Sequence, residues 1–64
     1  MEDIKRLREA QGKTQKQLAD EMGVERSTVA KWEAGTAFPR AAKLPKLAEV
    51  LGCSVADLFN TESA

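Results

Sequence analysis

Glycine occurs four times in this chain, at 12, 23, 35 and 52, and each time it closes a stretch whose apolar residues recur at helical spacing. A chain of 64 residues divided this way is restricted to short helices folded around one shared core. Chains of about 60 residues bury only about 60% of the surface their unfolded state exposes, so that core is marginal and needs good local helix signals. Ala, Leu, Glu and Lys outnumber the β-branched types, which supplies them. The chain is expected to be all-α, a single domain over 1–64 with its core in 3–60.

The elements follow from spacing. Ile4, Leu7 and Gln11 share one stripe ahead of Gly12, which predicts a first helix over 3–11. Thr14 and Gln17 have capping-box spacing ahead of Leu18, Ala19 and Met22, so a second helix is predicted over 15–22, stopped by Gly23. Residues 25–34 form a third, mostly polar helix in which only Val29 and Trp32 fall on an apolar stripe. A loop with Gly35, Phe38 and Pro39 follows. Leu44, Leu47, Ala48 and Leu51 then predict an amphipathic helix over 41–51, with Pro45 drawing its regular part toward Leu44. Ser54 and Asp57 repeat the capping-box spacing and open a last helix through Val55, Leu58 and Phe59 to Asn60. The tail 61–64 is expected to fray.

Several function classes drop out on composition. The chain has no His and a single Cys, which removes His-based triads, zinc sites of the usual ligand count and an internal disulfide. Ser and Thr lack a base and the carboxylates are scattered, so no enzyme and no metal or other cofactor is expected. Nothing points to a small-molecule ligand. No apolar run approaches the roughly 18 residues of a membrane span, and charge follows Met1 where a signal peptide needs an apolar stretch. No membrane partner is expected, and the location expected is cytoplasmic. Ten bases balance ten acids, but the balance is local: residues 13–46 hold seven bases and four acids, and residues 47–64 hold three acids and no base. The neutral total conceals a dipolar molecule.

Two short helices joined across Gly23 must cross steeply, and Leu18, Ala19, Val24, Val29 and Trp32 supply the small contact residue and the apolar anchors this requires. Through TQKQLADEMGVERSTVAKWEAG, from Thr14 to Gly35, the sequence resembles the helix-turn-helix of the phage repressor and Cro-like (XRE) family. The likeness extends from Ile4 to Phe59, because PRAAKLPKLAEVLGCSVADLF is similar to that family's last two helices. The resemblance implies a compact five-helix lambda-repressor-like domain that binds double-stranded DNA, with the third helix in the major groove.

With Val29 and Trp32 inward, Ser27, Ala30, Lys31 and Ala34 point outward at 100° per residue, with Arg26 and Thr28 on the flanks. Arg26, Ser27, Thr28 and Lys31 are the candidate base contacts: Ser27 suits several base edges, and Arg26 and Lys31 suit guanine acceptors. The bland alternative is a merely solvated polar face. Trp32 belongs to the core by its phase, not to base stacking. The resemblance implies that Gln15 meets phosphate or the groove edge; Thr14 with the first-turn amides, Lys16, Arg40 and Lys43 are candidate phosphate contacts by position, as is Lys13. Glu25 departs from the family's usual Ser, Thr or Asp-like start to this helix. It either selects a cytosine amino group or lowers non-specific binding.

Arg8 and Glu33 sit at the edges of their stripes, awkward beside a core unless paired, and the resemblance implies an ion pair between them that orients the third helix on the first. Phe38 either caps the core or joins an apolar patch for a second subunit. Phe38, Val55, Asp57 and Leu58 lie where related domains meet, with Leu58 alternatively core. One domain reads few base pairs, so a repressor of this kind is expected to act as a homodimer on a palindromic operator. Cys53 is either a half-buried small apolar residue or a redox switch. The alternative function is a protein-interaction module or antitoxin-like accessory regulator, using the outer face of the third helix or the acidic last helix.

Overall fold

The computed structural model describes residues 2–58. Five α-helices follow one another: α1 (Glu2–Ala10), α2 (Gln15–Met22), α3 (Arg26–Ala34), α4 (Leu44–Leu51) and α5 (Val55–Leu58), with a 3-10 turn, Ala41–Lys43, leading into α4. There is no strand among the described residues. Phe59, Asn60 and the tail 61–64 lie outside the described residues.

Capping chemistry sets the boundaries. At the start of α2 the Gln17 backbone N–H donates to Thr14 Oγ1 at 3.0 Å and the Thr14 N–H donates to Gln17 Oε1 at 2.8 Å, which satisfies two otherwise orphaned donors. Ser54 and Asp57 repeat this at 3.1 and 3.2 Å ahead of α5. Gly23 ends α2 in the left-handed region at φ 71°. The chain turns there through a bond of 3.0 Å from the Val24 N–H to the Ala19 carbonyl, and Val24 packs against the core. The third helix begins one residue later than its spacing predicts: Glu25 is extended at φ −82° and serves as N-cap without a side-chain bond. In the fourth helix Pro45 falls in the first turn, where its missing N–H costs nothing, and the three residues before Leu44 tighten into the 3-10 turn instead of extending the α-helix.

The first helix runs one residue earlier at both ends than the predicted 3–11. Gln11 lies beyond it and is exposed. Its apparent place on the apolar stripe has another cause: Gln11 Nε2 donates to the Leu51 carbonyl at 3.1 Å, satisfying one of the orphaned carbonyls at the end of α4. Gly52 makes room for this. A Cβ there would stand 2.6 Å from Gln11 Nε2, and φ is +71°.

The core draws on every helix: Ile4 from α1, Leu18, Ala19 and Met22 from α2, Val29 and Trp32 from α3, Leu47, Ala48 and Leu51 from α4, and Leu58 from α5. Leu58 is fully buried. It is therefore closed off within the chain and offers nothing to a second subunit. From the loop it is Ala37 that packs against the core, with Pro39 buried and Phe38 between them exposed.

Only two buried residues hold α3, and a charged node supplements them. Arg8 Nε donates to Glu33 Oε2 at 2.6 Å and Arg8 Nη2 to Glu33 Oε1 at 3.3 Å, a bidentate pair. Arg8 Nη1 donates to the Lys13 carbonyl at 2.7 Å, and Gln15 Nε2 donates to Glu33 Oε1 at 3.0 Å. The two charged side chains are only 10% and 5% exposed. Burial works to push the Glu33 carboxyl up, but the hydrogen bonds from Arg8 and then Gln15, with the charges of Arg8 and Lys5, hold it below the usual carboxylate range. The hydrogen bond to Glu33 raises Arg8 against the opposing effect of burial.

Removing one partner of such a buried pair strands the other, which costs about 3 kcal/mol or more. Arg8→Ala is thus expected to lower the melting temperature by at least about 12 °C, at roughly 4 °C or more per kcal/mol for a domain of this size; thermal denaturation followed by circular dichroism measures it. Because the Glu33 pKa is depressed on folding, its contribution is complete above the unfolded value of about 4.3 and disappears as pH falls through the folded value. Melting temperatures measured from pH 7 to 2 should decline in that acid window, and the decline should be shallower in Glu33→Gln.

Candidate nucleic-acid interface

Helix α3 presents an edge defined by its own phase. Val29 and Trp32 are buried; Arg26, Ser27, Lys31 and Ala34 are exposed; Thr28 and Ala30 are half-buried. Ala30, expected fully outward, thus lies on the shoulder of the helix, and the outermost positions are those of Arg26, Ser27, Lys31 and Ala34. The residues available to an incoming surface are small or polar, with cations at both ends of the helix. Glu25 stands at the N-terminal edge, exposed, where its charge suits the helix dipole.

Gly35 ends α3 at φ 82°, and the chain then folds back on the helix. The Lys31 carbonyl accepts from the Thr36 N–H at 3.1 Å, the Ala37 N–H at 3.3 Å and the Thr36 hydroxyl at 3.4 Å. Ala37 is half-buried and Pro39 buried, while Phe38 between them is 69% exposed. The loop and helix enclose a surface depression of about 390 Å³ lined by Val24, Thr28, Lys31, Trp32, Ala37, Phe38, Arg40 and Lys43. Lys31 from α3 and Arg40 and Lys43 from the loop and 3-10 turn therefore stand around one concavity whose described lining residues include no carboxylate.

The candidate phosphate residues fall into two groups. On α2, Lys16 Nζ lies 3.3 Å from Asp20, and just ahead of it Lys13 Nζ lies 3.0 Å from Glu21. Gln15 is half-buried and committed through one N–H to Glu33, leaving the second N–H of its amide. The Thr14 hydroxyl oxygen accepts from Gln17 and retains a proton to donate. Around α3 the situation differs: Arg26, Lys31, Arg40 and Lys43 have no carboxylate within 4.0 Å among the described residues. Sequence spacing places all of these bases near the turn but gives no sign of which are already neutralised, because the partners are fixed by helix phase and side-chain reach.

Of the residues expected between subunits, Val55 is 38% exposed, and Asp57 is exposed but engaged in the α5 cap. Cys53 is half-buried. Burial, with the negative charge of Asp57, pushes its thiol up, which keeps it protonated and weakly nucleophilic near neutrality. Two features had no visible signal in the sequence, the Gln11 bond to the Leu51 carbonyl and the Gln15 bond to Glu33; of the two alternatives open for Phe38, the exposed one is found. No helix among the described residues is long and apolar enough to cross a membrane.

A helix-turn-helix family model matches residues 4–58. Among curated proteins, the chain is 37% identical over 57 residues to the cryptic phage CTXphi transcriptional repressor RstR of Vibrio cholerae, a match covering 89% of this chain and 51% of that protein. It is 30% identical over 61 residues to the HTH-type transcriptional activator BcrR of Enterococcus faecalis, covering 95% of this chain and 30% of that protein. The chain thus spans about half or less of the length of these relatives. No solved structure matches the chain significantly. With α2 and α3 crossing at Gly23 inside a five-helix all-α domain, and the family pattern running from Ile4 to Leu58, the chain belongs to the Cro/C1-like helix-turn-helix family.

Proposed function

We propose that this chain is a sequence-specific double-stranded DNA-binding transcription regulator that acts as a repressor, placing α3 in the major groove of its operator. The observation that carries it is the cluster of unpaired cations at and beside the exposed edge of α3. Counter-ions condensed on a duplex are released when such cations meet phosphates, so a face of this kind has its largest gain with a polyanion. The sign follows RstR, named a transcriptional repressor, which is more similar to the chain and covered over more of its length than BcrR, named an activator. Occlusion of a promoter by the bound domain is sufficient mechanism.

Roles divide by chemistry. Arg26, Ser27, Thr28 and Lys31 face base edges; the two cations suit the O6 and N7 acceptors of guanine, and the hydroxyls serve as donor or acceptor. Arg40 and Lys43 hold phosphates directly. Thr14, Gln15 and Lys16 meet the backbone from α2, with Lys16 exchanging Asp20 for phosphate on binding. Arg8 and Glu33 act on structure, by fixing how α3 stands. A two-fold dimer on a palindromic site, with half-sites about 34 Å apart, gives the length of sequence a regulator needs. Val55 is the exposed apolar residue near α5 open to that contact.

Selection of duplexes from a random pool followed by sequencing tests the proposal: a symmetric consensus with that half-site spacing is expected. A protein that binds no duplex at low salt, yet purifies stoichiometrically with another protein, overturns it. Within the selected site, Arg26→Ala or Lys31→Ala should cost about 1–3 kcal/mol and relax base preference at one position. Arg40→Ala should instead weaken selected and scrambled duplexes alike, and reduce the slope of log affinity against log salt by about 1 in fluorescence-anisotropy titrations. Because Lys16 is already balanced by Asp20, Lys16→Ala should reduce that slope by less than Arg40→Ala does.

A further inference from the structure

Phe38 is the most exposed large apolar side chain among the described residues, at 69%. Its exposure is built into the backbone. Thr36 and Ala37 are tied to the Lys31 carbonyl, Pro39 is buried, and a residue before proline is biased to extended conformations that point successive side chains to opposite sides. With its neighbours on both sides facing inward, Phe38 faces out. It does so beside Thr28 and Lys31 of α3, in the depression whose other charged members are Arg40 and Lys43.

Two occupants could cover this ring, and charge separates them. If a second copy of the chain docked here about a two-fold axis, the same patch would face itself. Lys31, Arg40 and Lys43 would then meet three identical cations, with no carboxylate among the described lining residues to offset them, and like charges so juxtaposed disfavour the contact. A duplex has the opposite property: its phosphates neutralise the three cations while its major groove offers an apolar group, the C5-methyl of thymine, which aromatic and aliphatic side chains contact.

We propose that Phe38 is a specificity-determining residue that packs on a thymine methyl at the edge of the site met by α3, and that it is not a contact for a second copy of the chain. This rests on the DNA-binding role proposed above. It assigns the loop between α3 and α4 a part in base recognition, alongside its cations on the backbone. Lys31 and Arg40 position the ring by holding the flanking phosphates or bases.

The test uses the duplex selected by the wild-type protein, with each thymine replaced in turn by uracil, which removes the methyl and leaves the base pair intact. One replacement is expected to weaken wild-type binding about fourfold, the change that burial of one methyl-sized group implies. Phe38→Ala should be insensitive to that replacement, respond as wild type to the others, melt at the wild-type temperature and sediment as wild type without DNA. Equal sensitivity of both proteins at every thymine overturns the assignment, as does a loss of self-association in Phe38→Ala that accounts for its loss of binding. If the wild type selects no duplex, the DNA-binding role itself fails; if it selects one but shows no thymine effect dependent on Phe38, only the present assignment fails.

Discussion

The apolar side of α3 amounts to Val29 and Trp32, and apolar contact is non-directional: it holds a helix down without stating how it is rotated. Direction comes from the Glu33 carboxylate, which accepts from Arg8 on α1 and Gln15 on α2. One carboxylate thereby ties three helices together, and Arg8 extends the tie to the loop carbonyl of Lys13. Such buried charge contributes little to net stability compared with an apolar replacement of the same shape. Its value here is geometric, because a recognition surface is useful only if its few polar groups are held at fixed positions.

The same economy shapes the surface. The chain is neutral in total, yet its bases are distributed unequally between paired and unpaired states. Those on and just before α2 have carboxylates at hand, whereas Arg26, Lys31, Arg40 and Lys43 do not. Local pairing weakens attraction to polyanions along α2 and leaves it stronger at and beside α3. A neutral protein with one cationic edge approaches a duplex in a preferred orientation, which serves discrimination as well as speed.

Much of this was legible before any coordinates. Both capping boxes, the stops at Gly23, Gly35 and Gly52 and the inward phase of Val29 and Trp32 are local properties, fixed by side chains within four residues of the backbone they control. The Arg8–Glu33 pair was legible only in part, since an edge position suggests a partner without naming it. The long-range bonds of the two glutamines have no counterpart in the sequence pattern. Gln11 is 40 residues from Leu51, and its helical spacing imitates an apolar stripe. The sequence leaves Leu58 open between an interface and the core, because periodicity tells which face of a helix is apolar but not what covers it. Whether Phe38 caps the core or stands exposed is open in the sequence for a related reason: in a loop, the backbone path decides which of two apolar neighbours turns inward.

Among the described residues no helix exceeds nine residues, well below the roughly 12–15 at which an isolated helix becomes even marginal in water. Each therefore exists only while the others do. A synthetic peptide copying α3 is expected to lose most of its helix, because it leaves behind the packing that holds it. Occupancy of a target and resistance to proteolysis are then governed by one and the same equilibrium, so that anything stabilising the bound form also lengthens the lifetime of the molecule.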